Sequence, residues 1–439
     1  MKKYVILLAV VIFSACKSKT AKEYSKVTDN PEFIHNAYEK LTDVIIHDIF
    51  SPPVSSRIYA YATIAGYEAL ISGNPNYQTM AGQLNGLTEF PKPEAGKEYC
   101  HSLASVKAIM TIARTLTFTV TKYDAFEKET YQKFKDAGVP SDVYDRSMSF
   151  GEEVAKHVLA YSKKDNYLQT RGLRYSVKST GDKWVPTPPQ YADAMEPYWP
   201  TIRTLAIDSA GQFQPAPVIP FSKDPNSPFR KEVKAVYETV NNLTQEQKDI
   251  AWFWDDNAFV MNVQGHVMFA NKKMTPGGHW MAITRTACQQ TIKNIYEAQD
   301  AYLRVAISLF DGFIACWHEK YRTEKIRPET VINADLDPKW MPFLQTPPFP
   351  EYTSGHSTIS AASAEALTAC FGDNVAFTDS TEFKYDHGVR KFASFRAAAQ
   401  ESSISRVYGG IHYLSGCEEG NKAGTRLGQF IAAKLKTKK

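Results

Sequence analysis

Apolar residues recur along most of this chain at the three- and four-residue spacing that turns one face of a helix towards a core. Ala37, Leu41, Ile45 and Ile49 follow one another at four-residue steps, and Val143, Ser147, Gly151, Val154 and Val158 make a second face of apolar and small residues. The same pattern predicts helices over 103–116, 279–320, 357–371 and 422–435. Period-two alternation, the mark of a half-buried strand, is scarce. An all-α fold, a large helical bundle, is the expectation.

The helical pattern stops between 164 and 230, where prolines gather in Val185-Pro186-Thr187-Pro188-Pro189, Glu196-Pro197-Tyr198-Trp199-Pro200 and Gln214-Pro215-Ala216-Pro217. Proline lacks an amide proton and clashes with the preceding turn, so this many cannot sit in helix interiors. The aromatics among them point to a surface strap lying on the helical body. No repeat or low-complexity tract interrupts the rest.

The first residues follow another rule. Lys2 and Lys3 precede an apolar run from Tyr4 to Phe13 that ends in Ser14-Ala15-Cys16, the order of a signal peptide over 1–15. The run is too short to span a bilayer. Its end resembles the bacterial lipobox, which implies cleavage before Cys16, lipidation of that cysteine and an exported, periplasm-facing protein. Phe13 stands where the lipobox has Leu, so plain secretion is the alternative. Residues 16–30 read as a polar tether and 31–436 as a single helical domain with its chemistry in 250–436. On this reading the membrane is met only through the lipid.

With 439 residues and 43% hydrophobic content the chain can bury a large core, and its formal charge of +4 is too small and dispersed to suggest nucleic acid. Cys100, Cys288, Cys316, Cys370 and Cys417 show no CxxC spacing, so a zinc site is not expected and buried free thiols are as good a reading as disulfides. Oligomeric state is not legible.

Three segments can carry chemistry. In Trp317-His318-Glu319-Lys320-Tyr321-Arg322-Thr323-Glu324-Lys325-Ile326-Arg327-Pro328, a persisting helix would place Lys320 and Arg327 on one face, while Pro328 biases Arg327 away from helical geometry. Alone, this is an ordinary solvated charged face. In Pro350-Glu351-Tyr352-Thr353-Ser354-Gly355-His356-Ser357 a helix begins, and unpaired amides at a helix start favour an oxyanion. Gly355 would admit close approach; the plainer alternative is a Ser354 N-cap and a surface histidine. In Ser405-Arg406-Val407-Tyr408-Gly409-Gly410-Ile411-His412, Arg406 and His412 diverge on a regular helix, and Gly409-Gly410 offers a break. Here the plain reading is an interior salt bridge and a core histidine.

Together the segments read Lys-x6-Arg-Pro, Ser-Gly-His and Ser-Arg-x5-His, in that order. This resembles the signature shared by type 2 phosphatidic acid phosphatases and vanadium haloperoxidases. Trp317 and Phe349 resemble the halide-side positions of the haloperoxidase branch, and Phe253-Trp254-Asp255-Asp256-Asn257 with Pro276-Gly277-Gly278-His279-Trp280 resembles its bacterial members, nearest to iodoperoxidases. The resemblance implies vanadate bound through His412 and held by Lys320, Arg327, Ser354, Gly355 and Arg406. It also implies His356 as acid/base, Lys320 as a mobile charge polarising bound peroxide, and Asp255 or Asp256 buttressing the arginines. Hydrogen peroxide and halide would be the substrates, iodide first and bromide possible, giving hypohalous acid.

One position departs from the family pattern, which continues three residues past the last histidine and then has an aspartate; here that position is Gly416. A backbone carbonyl, Glu418 or Glu419 would then have to orient His412. The missing aspartate disfavours the alternative enzyme, an exported acid phosphatase with His412 as nucleophile. A non-catalytic oxyanion-binding lipoprotein is the third reading.

Overall fold

The structure, a computed structural model, describes residues 20–258, 260–264, 267–270, 272–291, 294–383 and 388–439, with backbone alone over 261–264 and 267–270. The signal segment and Cys16 lie outside the described residues.

The predicted tether is helical from its sixth residue, α1 (Ala21–Thr28). Glu23 accepts the Thr20 amide at 2.8 Å, and Tyr24 and Thr28, one turn apart, are buried, so this segment docks on the body. α2 (Glu32–His47) follows, ending short of Ile49, whose left-handed φ of 55° takes it out of the predicted series.

Next comes α3 (Pro52–Ile71), buried along its whole length. Ser51 caps it, accepting the Val54 amide, and Pro52 and Pro53 fill the first turn, where no amide partner is needed. α4 (His101–Leu116), α5 (Asp124–Asp136), α6 (Ser141–Ser162) and the short α7 (Tyr167–Thr170) complete the N-terminal helices.

After the strap come α8 (Pro228–Asn241), α9 (Gln245–Phe253), α10 (Pro276–Thr291) and α11 (Ile295–Thr323). The helix predicted over 279–320 is thus two, because Asn294 caps a new start by accepting the Tyr296 amide at 2.9 Å. α12 (Pro328–Asp335), α13 (Gly355–Phe371), α14 (Phe395–Tyr408) and α15 (Leu414–Lys434) end the chain. Two antiparallel hairpins are the described sheet, β1 (Met261–Gln264) with β2 (Val267–Ala270) and β3 (Phe377–Asp379) with β4 (Arg390–Phe392). No described helix is long and apolar enough to cross a membrane.

One apolar cluster joins α2, α3 and α4 to α11, α13 and α15. Its tightest seam lies between α13 and α15, where Gly420, Gly424 and Gly428 present backbone: a Cβ on Gly424 would sit 2.0 Å from the Thr358 carbonyl oxygen, and one on Gly428 2.6 Å from that of Ala362. The Pro-rich strap does lie on this body. Buried Asp311 of α11 accepts the amides of Leu205, Ala206 and Ile207 at 2.8, 2.7 and 3.0 Å, and buried Asp165 pairs with Arg57 of α3 at 2.6 Å. The five described cysteines are free.

Candidate active site

Lys320 and Arg327 do meet, though not by sharing a helix face. α11 stops at Thr323, Glu324 turns the chain with φ of 50°, and Arg327 is extended ahead of Pro328. Both cations are fully buried. Lys320 Nζ donates to the carbonyls of Pro350 and Glu351 at 2.9 and 3.0 Å and lies 4.9 Å from the Phe349 ring centre. It is therefore a fixed charge rather than the mobile one expected, and burial, with Arg327 next to it, pulls its pKa down to about 7. Arg327 donates through Nε to Phe349 O at 2.9 Å and through Nη1 to Ile411 O at 2.6 Å, and burial lowers its pKa to about 10. Its Nη2 is buried with no hydrogen-bond partner.

The second segment starts α13 as predicted, with Ser354 accepting the Ser357 amide at 3.3 Å. The amides of Gly355 and His356 find no acceptor among the described residues. A Cβ on Gly355 would meet only Trp317, at an ordinary 3.6 Å, so no protein neighbour demands glycine there. What a side chain would fill is the cavity.

In the third segment Gly409 caps α14 and Gly410, with φ of 74°, reverses the chain, which brings His412 back beside Arg327. Arg406 is buried and donates to the carbonyls of Ala251 and Trp254 at 3.4 and 2.5 Å. His412 Nε2 lies 3.1 Å from Arg327 Nη1, and Nδ1 lies 2.7 Å from Glu351 Oε1. Burial, then the charges of Arg327, Lys320 and Arg406, hold the imidazole well below its usual pKa, so the ring is neutral. The partner of His412 is neither Glu418, which is exposed, nor Glu419, which accepts the Ala216 amide and pairs with Lys422. Since Glu351 supplies a carboxylate, Gly416 no longer argues against a phosphatase.

His356 keeps 15% of its side chain exposed, and burial, followed by Arg406 and His412, depresses its pKa well below the usual value. Its Nε2 lacks a hydrogen-bond partner and lies 3.7 Å from Asp256 Oδ2, which also lacks one. No hydrogen bond links Asp255 or Asp256 to the arginines among the described residues. Their charges favour protonated Arg406, but Asp255 pairs with Lys273 at 2.6 Å and Asp256 with His279 at 3.0 Å. They sit near the site without the expected contact.

His279, which sequence reasoning placed in no role, bridges Asp256 and Asp379, the latter at 2.9 Å, with Trp254 stacked on its ring at 4.6 Å. Burial opposes its charge, yet the two aspartates outweigh that and hold its pKa well above the usual value. Asp256, His279 and Glu382 lie close enough to suggest a cation, but both His279 nitrogens already face aspartates.

Trp317 and Phe349 meet at 4.9 Å between ring centres and line a small cavity with Met195, Gly355, His356, Arg406 and His412; Lys320 and Arg327 lie against the Phe349 ring, at 4.9 and 5.1 Å from its centre. The strap closes this side: Met195 O accepts from the Trp317 indole at 3.2 Å and the Tyr321 hydroxyl at 2.6 Å. Three buried cations, two open amides, an unpartnered guanidinium nitrogen and a neutral imidazole suit a compact tetrahedral oxyanion bound through one nitrogen.

Residues 300–438 match the family model described as the VCPO second helical-bundle domain. A crystal structure described as the first bacterial vanadium-dependent iodoperoxidase is similar with 43% identity and a TM-score of 0.87, over 93% of this chain and 97% of that one. Holo and apo structures of a bacterial vanadium-dependent chloroperoxidase share the fold, with TM-scores of 0.65 and 0.64 at 15% and 14% identity, over 88% of this chain and 93% and 95% of theirs. Comparison with curated proteins yields no match.

Proposed function

Since the chain belongs to the vanadium-dependent haloperoxidase family, we propose that Lys320, Arg327, Ser354, Gly355, Arg406 and His412 hold its vanadate, and that iodide is the halide oxidised. The protein is an enzyme that uses vanadate as cofactor and acts on hydrogen peroxide and halide. Bound vanadate supplies a Lewis-acid centre that activates peroxide towards halide without changing oxidation state.

The observation that carries the assignment is the neutral His412 ring, whose Nε2 stands among buried Lys320, Arg327 and Arg406. His412 offers that nitrogen, the cations balance the oxyanion, and the Gly355 and His356 amides donate to it. His356, neutral and unpartnered at Nε2, accepts and returns the peroxide proton. Trp317 and Phe349 give the halide an aromatic wall suited to a large polarisable ion. The iodide assignment draws on the resemblance to the iodoperoxidase. We propose also that the chain is exported and lipidated at Cys16; mass spectrometry of membrane-fraction protein showing an unmodified Cys16 behind an intact N-terminus would refute this.

The test is to load purified protein with vanadate and measure iodide oxidation and phosphoester hydrolysis side by side. Vanadate-dependent oxidation, suppressed by phosphate during loading, is expected. His412→Ala should lose vanadium on desalting, whereas His356→Ala should slow turnover more than it weakens retention. Efficient phosphoester hydrolysis without vanadate-dependent iodide oxidation would overturn the reading.

A further inference from the structure

We propose that Glu351 is the positioning residue that fixes the tautomer and direction of His412, and that Gly416 lacks a side chain to leave room for it. The inference rests on the reading above that His412 Nε2 is the nitrogen offered to vanadate. An imidazole presents a bare nitrogen on one side only when its proton is held on the other. Glu351 Oε1, 2.7 Å from Nδ1, is the acceptor that holds it, and Arg327 Nη1, a donor 3.1 Å from Nε2, is compatible only with a bare Nε2.

The carboxylate is itself held. Its Oε1 also accepts the Tyr413 amide at 3.3 Å, and Lys325 Nζ lies 3.7 Å from Oε2. The backbone carbonyl of the same residue accepts from Lys320 at 3.0 Å, so one residue fixes a site cation through its main chain and the ligating ring through its side chain. Glu351 is fully buried, so its oxygen cannot swing into solvent.

Gly416 completes the argument from the opposite wall. A Cβ there would lie 2.2 Å from Glu351 Oε1, closer than real contacts allow, and a tight 3.0 Å from its Cδ. Residue 416 lies in regular helix, so any residue suits its backbone; the carboxylate is what excludes a side chain. A short acidic side chain from 416 could therefore occupy the same place once Glu351 is cut back.

That exchange is the test. In ¹⁵N-histidine-labelled apoprotein, with His412 assigned by the spectrum of His412→Ala, Nδ1 should be protonated and Nε2 bare. Glu351→Ala should lose that single tautomer and weaken vanadate binding, measured by equilibrium dialysis, by roughly ten- to a hundredfold. The double variant Glu351→Ala with Gly416→Asp should recover the tautomer and most of the affinity, while Gly416→Asp alone should bind worse than the parent. A buried countercharge with no orienting role would leave the tautomer unchanged in Glu351→Ala, and that result, or an Nε2-protonated ring in the parent, overturns the proposal. Should Glu351→Ala not fold, the tautomer of the parent and of the double variant decides. If the parent itself binds no vanadate, the ligation reading fails, and the tautomer readings still decide whether Glu351 orients the ring.

Discussion

Position 68 puts a carboxyl group inside α3, where the Thr79 hydroxyl donates to it at 2.8 Å and the Met80 amide at 2.6 Å, and it forms no ion pair among the described residues. Burial outweighs those hydrogen bonds and lifts its pKa from 4.5 to about 7. A carboxyl whose pKa is raised by folding contributes its stability below the unfolded value and loses it as pH rises through the folded one. The window here is pH 4.5 to about 7, and the shift corresponds to roughly 3 kcal/mol. Glu68→Gln removes the titration and keeps an oxygen for the Met80 amide. Urea unfolding should therefore show the variant gaining on the parent by roughly that amount between pH 4.5 and 8. A difference that does not change with pH would mean that folding does not raise this pKa.

The glycines of α15 set how closely it can lie on α13. The oxygen facing Gly424 belongs to the Thr358 backbone, one turn into α13, and cannot step aside as a flexible side chain could. Gly424→Ala must push the helices apart, at about 1–3 kcal/mol for an overpacked contact. Because α13 begins with Gly355 and His356, the same displacement should weaken vanadate retention although residue 424 lies two turns beyond Gly416. Gly172→Ala, in open space, is the control and should leave melting temperature and retention unchanged.

How much of this was legible follows from what each element depends on. Helices with an apolar stripe were readable, as were Ser354 as a cap and the signature cations, because those are local patterns. The new helix start after Asn294 was not, since the apolar stripe carries no other mark of it in the sequence. The Gly420, Gly424, Gly428 ladder is visible at four-residue steps, but spacing alone does not say which helix that face meets. Glu351 was missed for a different reason: its partner lies 61 residues away, and only the fold puts them together. His279 and Asp379, 100 residues apart, hide in the same way.

For the molecule as a whole, the strap is tied to the helical body by a few buried carboxylates. Asp311 carries the largest share, with three backbone amides on one side chain. Asp311→Ala would leave all three without their acceptor inside the core, at about 1–3 kcal/mol each. The expected result is a lower melting temperature and faster proteolysis within 171–227, with cleavage of the helices following later. Unchanged proteolysis would mean that the remaining ties, such as Asp165 with Arg57, suffice.

The strap also decides how the catalyst wears out. Met195, whose carbonyl holds Trp317 and Tyr321, lines the cavity in which the proposed reaction would form hypohalous acid. A thioether on that lining is readily oxidised, and its sulfoxide is larger and polar. Each turnover carries a small chance of self-damage, so working life is counted in catalytic cycles rather than hours. Met195→Leu keeps the volume and removes the sulfur. The variant should complete more cycles before inactivation at unchanged initial rate, and the parent's loss of activity should track a gain of 16 Da on the peptide containing Met195.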